Sequence, residues 1–274
     1  MMQSEAPRRP VREPVFNLPG AVLGMLLALG AIHLLRTLVL ADETDLELLL
    51  DLAVIPARWT LALDASRAAE ILSAAGAGRE EESLRSALAN YVVTGGGAHP
   101  WTGLTYAFLH GSWTHLLLNG VWFAAFGTPV ARRLGALRFL GLAAACAVAG
   151  ALAHALVHPL SVVPMIGASA VVSGMMAAAT RFIFAPPPAF SWMPTAPHAR
   201  PRQSLVELVA NPRAALFLGV WFLTNLGFGL FAAPLGVVDA GIAWEAHIGG
   251  FVAGLLLLPA LDTVSSEQDP QGLA

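Results

Sequence analysis

Six stretches of the chain, 18–40, 115–133, 136–157, 169–184, 214–231 and 242–261, are apolar over lengths that approach the roughly 20 residues a helix needs to cross a hydrocarbon core of about 30 Å. That pattern predicts an all-α membrane protein built as a bundle of six transmembrane helices. With 56% of residues hydrophobic and 12% charged, the composition belongs to the same class. The lipid bilayer is an expected partner, and a nucleic acid is not.

The arginines orient the bundle. All fifteen basic residues are arginine. Arg8, Arg9 and Arg12 precede the first stretch, Arg132, Arg133 and Arg138 lie between the second and third, and Arg181, Arg200, Arg202 and Arg213 lie between the fourth and fifth. The opposite loops, 158–167 and 232–241, have none, and 41–100 holds ten acidic residues against four arginines. The positive-inside rule puts both termini in the cytoplasm of a multi-pass protein, with a bacterial inner (plasma) membrane as the expected location. A cleaved signal peptide ending near Val39-Leu40-Ala41 is the other reading of the N-terminus, but Arg36 interrupts it and the apolar run is long for one. Cys146, the single cysteine, lies inside an apolar stretch and cannot form an intrachain disulfide.

Between the apolar stretches the chain divides further. Residues 1–17, polar and rich in Pro and Arg, read as a disordered cytoplasmic tail, and 263–274 as a second tail. Residues 18–262 form the membrane domain. Within it, 41–100 is too long for a connector, and Leu46, Leu49, Leu50, Leu52, Ala53, Ala68, Ile71, Leu72 and Ala75 recur near helical spacing, predicting short amphipathic helices on or in the outer membrane surface. The loop 185–213 is proline-rich and carries no visible chemistry. No nucleotide-binding, Walker or zinc motif and no internal repeat is present.

Polar and ionisable groups at membrane depth are costly, so each is a functional candidate by default. In His110-Gly-Ser-Trp-Thr-His115-Leu-Leu-Leu-Asn119, His115 and Asn119 are four apart and share a helix face. They can aim donors at one point, or simply hydrogen-bond two helices together. The pair lacks the carboxylate or thiolate company of a metal site, and neither a metal nor a cofactor is expected. In Gly167-Ala168-Ser169-Ala170 the serine stands at the head of an apolar stretch, where unpaired N–H groups and the helix dipole favour a developing anion. The same position suits an ordinary N-cap. Ser173, one turn on, continues a stripe of small residues with Gly174 and Ala177.

A second stripe holds His247, Gly250 and Gly254 at i, i+3 and i+7, an imidazole followed by a GxxxG-type packing face. If the stripes face each other, the imidazole reaches the hydroxyl, as general-base activation requires. Glu245 points to another side of the helix. A Ser–His dyad without a third carboxylate is expected, with Asp239 in the preceding loop left open as a further member.

Taken in order, His-x4-His-x3-Asn at 110–119, Gly-x-Ser at 167–169 and Ala-His-x2-Gly-x3-Gly at 246–254 resemble the rhomboid family of intramembrane serine proteases. The resemblance covers roughly 18–262 and implies a six-helix rhomboid-like bundle. It implies Ser169 as nucleophile, His247 as general base, and His115, Asn119 and the Ser169 N–H as the oxyanion hole, with Gly167, Gly250 and Gly254 serving the packing. Transmembrane proteins are the implied substrates; the oligomeric state stays open. Three positions depart from the family pattern: Thr102 stands where an arginine follows the tryptophan, at Trp101; Ala170 replaces the glycine after the nucleophile; and Ser173 stands where some members have an aromatic residue. The last leaves the histidine to be held by packing alone.

Two other readings compete. A catalytically silent rhomboid-like protein that binds membrane clients would use the same fold and not need Ser169. A transporter or haem protein would use His33, His110, His154 and His158, of which His154 and His158 share a face, but no charged relay or broken-helix pattern accompanies them.

Overall fold

The computed structural model describes residues 17–76, 82–187, 195–231 and 243–263. These form twelve helices: α1 (Gly20–Leu38), α2 (Asp42–Leu52), α3 (Pro56–Leu63), α4 (Ala68–Ala75), α5 (Glu82–Gly95), α6 (Thr102–Thr105), α7 (Trp113–Leu134), α8 (Ala136–Val157), α9 (Ser169–Ile183), α10 (Leu205–Ala210), α11 (Pro212–Phe231) and α12 (Trp244–Leu261). Among the described residues the only β pairing is one antiparallel bridge, Val54 with Met165. Residues 1–16 and 264–274 of the two tails, the 232–242 loop with Asp239, Pro234 and Gly236, and part of the proline-rich loop lie outside the described residues.

Each of the six apolar stretches contains a helix, with ends set by local chemistry. α7 begins two residues earlier than its apolar run because the Ser112 hydroxyl accepts from His115 N at 3.1 Å, an N-cap bond. α11 begins at Pro212, a favoured first position, after Asn211, whose side chain accepts from Arg213 N. By length and composition α1, α8 and α12 are long and apolar enough to cross a membrane. α9 is shorter, at 15 residues, and is buried along almost its whole length from Ala170 to Phe182. A helix buried all round is the centre of its bundle. α7, α8 and α12 surround it, joined in one core with Phe123, Phe139, Leu142, Met175, Phe182 and Leu258.

Small residues set how closely those helices approach. A Cβ added at Gly250 would overlap the Ala170 backbone, and one at Gly254 the Gly174 backbone. Gly150 on α8 leaves room for Ala170 and for the Tyr106 hydroxyl. The stripes on α9 and α12 therefore meet at backbone contact.

The opposite end of the bundle is closed by charge. Arg133 donates to Asp262 at 2.8 Å, both side chains being fully buried, and to the carbonyls of His198 and Arg200. Arg181 donates to the Gln203 and Leu255 carbonyls. The proline-rich loop is thus stitched to α7, α9 and α12 by arginines. This is chemistry its composition did not announce.

The described residues between 41 and 96 form the short helices α2 to α5, and apolar residues on them pack against one another. Leu50, Ile55, Ala57, Ile71, Ala75, Ala89 and Val92 form a second core that also takes Val162 from the 158–168 loop. Leu46 and Leu72, read as part of the apolar face, are exposed. This cap is tied to that loop through the backbone: Val54 and Met165 exchange N–H···O bonds, Ala57 N donates to Ser161 O at 3.0 Å, and the Thr60 hydroxyl donates to Pro159 O at 2.6 Å. Arg58, almost fully buried, donates to Leu50 O and to His99 Nδ1. At the position where the family arginine is missing, Thr102 is buried and its hydroxyl donates to His99 O.

Candidate active site

Ser169 is the first residue of α9, Ala168 occupies the N-cap position, and no side chain caps that helix. The capping alternative for Ser169 therefore does not describe this helix. Its Oγ lies 2.7 Å from Nε2 of His247, on the first turns of α12. Both residues are half-buried. The contact exists because α9 and α12 touch along glycines one turn further in; with larger residues there, the imidazole would stand off by more than a hydrogen bond.

The other nitrogen of the imidazole is occupied too. His247 Nδ1 is hydrogen-bonded to Oδ1 of Asn225, a buried residue of α11, whose amide nitrogen donates to the Trp244 carbonyl at 3.4 Å. With its own N–H groups pointed at Trp244, Asn225 presents oxygen to the ring, so Nδ1 carries the proton and Nε2 faces Ser169 as an acceptor. The expectation that packing alone holds His247 is corrected: an amide on a third helix orients it. Trp221 stacked on Phe251 at 4.6 Å and Trp244 against Gly229 complete the α11–α12 contact.

Ser173 is not an alternative partner for the imidazole in this arrangement. Its hydroxyl donates to the Ser169 carbonyl at 2.8 Å, a bond within the helix.

His115 and Asn119 reach the site from α7. Gly167 has φ +121°, a conformation that favours glycine, and a Cβ there would lie 2.8 Å from His115 Nε2 and 3.9 Å from Asn119 Nδ2. The turn before Ser169 thus lies directly over both donors, and only glycine permits it. Asn119 is buried and one of its amide hydrogens goes to the His115 carbonyl at 3.2 Å, leaving the second. His110 packs edge-on against the His115 ring at 5.0 Å. Burial, with the neighbouring His115 and His33, lowers the His110 pKa to about 4, so it is neutral near pH 7 and does not repel a charge beside it.

The loop that delivers Ser169 has an anchor not evident in the sequence. Tyr106, 1% exposed, donates to Ala147 O at 2.9 Å and accepts from Gly167 N at 3.0 Å through its own carbonyl. Asn225 did leave a signal in the sequence, since a lone amide in an apolar stretch must find a partner. Glu245 faces away from the site, toward α8, as its spacing requires.

A hydroxyl bonded to a neutral imidazole, itself oriented by a third group, can be activated as a nucleophile. The unpaired N–H groups at the start of α9 and the donors of α7 flank the same point. Replacing Asn225 by Leu is expected to lower turnover roughly 10- to 100-fold while leaving substrate KM nearly unchanged, because it loosens the base without removing it. Unchanged turnover would show that packing suffices.

A family model described as the Rhomboid domain matches residues 97–261, more than half of the chain and including Ser169, His247, Asn225, His115 and Asn119. No curated protein matches the chain.

Proposed function

The chain belongs to the rhomboid family, and from that premise we propose that it is an intramembrane serine endopeptidase, hydrolysing peptide bonds in or near the transmembrane segments of membrane proteins. The observation that carries the reading is the Ser169 Oγ···His247 Nε2 contact of 2.7 Å, with Asn225 on the far side of the ring.

In this mechanism Ser169 Oγ attacks the carbonyl carbon of the scissile bond while His247 Nε2 takes its proton. The imidazolium is held by its Nδ1–H bond to Asn225. The carbonyl oxygen, now an anion, is met by the Ser169 N–H, His115 and the free amide hydrogen of Asn119. Collapse of the tetrahedral intermediate breaks the C–N bond, and His247 gives its proton to the leaving amine. Water then attacks the acyl-enzyme with His247 again as base, regenerating Ser169. A substrate helix must unwind locally to expose its carbonyl, so bonds near Gly, Pro or other weak helix formers are the preferred sites.

A serine-directed fluorophosphonate probe tests the activation itself. The expected result is one covalent adduct on Ser169 in the folded protein and none in Ser169→Ala. A folded, unreactive wild type would favour the client-binding reading. Removal of one oxyanion donor, by Asn119→Ala or His115→Ala, is expected to lower turnover about 10²–10³-fold with KM little changed. A raised KM with intact turnover would make that residue a substrate contact.

The proposal includes six membrane crossings with both termini cytoplasmic, from the arginine distribution. Ser161→Cys, in a background with the buried Cys146 replaced by Ala, is expected to react with an impermeant thiol reagent added outside spheroplasts. Ala196→Cys is expected to be protected. The reverse pattern would turn the site toward the cytoplasm.

A further inference from the structure

At the same end of the bundle as Ser169, on the face of α12 turned away from it, stands a second group of chemistry-bearing side chains. His154 and His158, one turn apart near the end of α8, have ring centroids 5.0 Å apart. Glu245, in the first turn of α12, reaches across to them: one carboxylate oxygen is 2.6 Å from His158 Nε2 and the other 3.6 Å from His154 Nδ1. One donor atom from each residue fits within a span of 4.8 Å.

The arrangement is incomplete as a hydrogen-bonded cluster. Glu245 is 6% exposed. Its Oε2 and the His154 Nδ1 that faces it are both buried and lack hydrogen-bond partners among the described residues. A separation of 3.6 Å is too long for a hydrogen bond. Leaving half of a buried carboxylate and an imidazole nitrogen unsatisfied costs free energy that an ordinary packing cluster would avoid.

We infer that His154 Nδ1, His158 Nε2 and the Glu245 carboxylate form a binding site for a divalent transition-metal ion of the Zn²⁺ type. Two imidazoles and one carboxylate make up a three-ligand set this class accepts, with a fourth position left for water. Mg²⁺ and Ca²⁺ prefer all-oxygen shells and fit the two imidazoles poorly. Metal–ligand distances of about 2.0–2.2 Å require the donors to draw together by roughly 1 Å. His158, just past the end of α8 and the most exposed of the three, has freedom to make that adjustment and gives the ion a way in. Binding replaces the His158–Glu245 hydrogen bond, with any proton held on an imidazole nitrogen released to solvent.

The bound ion would cross-link the end of α8 to the start of α12, two residues from the imidazole that meets Ser169. It takes no part in the Ser169 reaction, and the site does not depend on that reaction being correct. His-x3-His is visible in the sequence, while its carboxylate comes from a helix nearly ninety residues later; the expectation of no metal rests on the His115–Asn119 pair and not on these histidines.

The test uses the full-length protein without a histidine tag, in detergent micelles, stripped with chelator and titrated with Co²⁺ and then Zn²⁺. The expected result is one equivalent of Co²⁺ with the visible absorption of a four-coordinate ion, displaced by Zn²⁺, and a higher Tm with Zn²⁺ bound. His158→Gln and Glu245→Gln, which keep polar side chains of similar reach, are expected to fold and to bind at least about 10- to 100-fold more weakly. Failure of the folded wild type to take up either ion overturns the proposal. So does uptake undiminished in both variants, which would move the ion elsewhere.

Discussion

Ser169→Ala and His247→Ala are each expected to lower cleavage of a model transmembrane substrate in liposomes by about 10⁴-fold or more, while circular dichroism and membrane insertion match the wild type. The two side chains form one hydrogen-bonded unit, so removing either disables the other and the double variant should be scarcely worse than either single one. Neither residue carries the fold at this point: α9 starts without a side-chain cap, and His247 is only half-buried. Ser173→Ala should retain most activity, since its hydroxyl bonds within the helix. Activity surviving in Ser169→Ala and lost in Ser173→Ala would shift the nucleophile one turn inward and require a different path for α12.

Gly254→Ala and Gly250→Ala are expected to cost the bundle several kcal/mol, at or beyond the usual range of about 1–3 kcal/mol for overpacking. A single methyl at either position would occupy space taken by the backbone of α9, which has no rotamer to change. The helices must separate, and the Ser169–His247 distance opens with them. Gly30→Ala on α1 and Gly141→Ala on α8 are the controls, because nothing lies within 4 Å of the added carbon at either. There the helix should gain up to about 1 kcal/mol from the lost flexibility of glycine. Thermal unfolding in micelles alongside turnover separates the cases. A wild-type Tm for Gly254→Ala would mean that α9 and α12 do not approach so closely.

The helices of the bundle were legible because hydrophobicity over about 20 residues is a strong, local signal. The facing of Ser169 and His247 was legible for a different reason: small residues recurring at i, i+3 and i+4 mark where two helices can touch, and each stripe carried one reactive group. Asn225 is not legible as a partner of His247 from any carboxylate pattern nearby, since a neutral amide 22 positions away meets the same need. The Tyr106 bond to Ala147 O and the Arg58 bond to Leu50 O escape because backbone carbonyls, which every residue has, are marked by no pattern. Apolar periodicity in 41–75 gave the helices there, yet could not say that Ile71 would be buried and Leu72 left exposed, since that depends on which neighbouring helix arrives.

The tie between the cap and the 158–168 loop fixes which pieces of this protein are interchangeable. The family match begins at residue 97, but the segment leading to Ser169 is aligned by main-chain bonds from Val54 and Ala57 and by the Thr60 hydroxyl. The unit of exchange between related proteins is consequently cap and loop together, a cassette discontinuous in sequence and continuous in space. A chimera that imports one half without the other would carry every reactive group and still present its serine on a loop cut loose from its moorings.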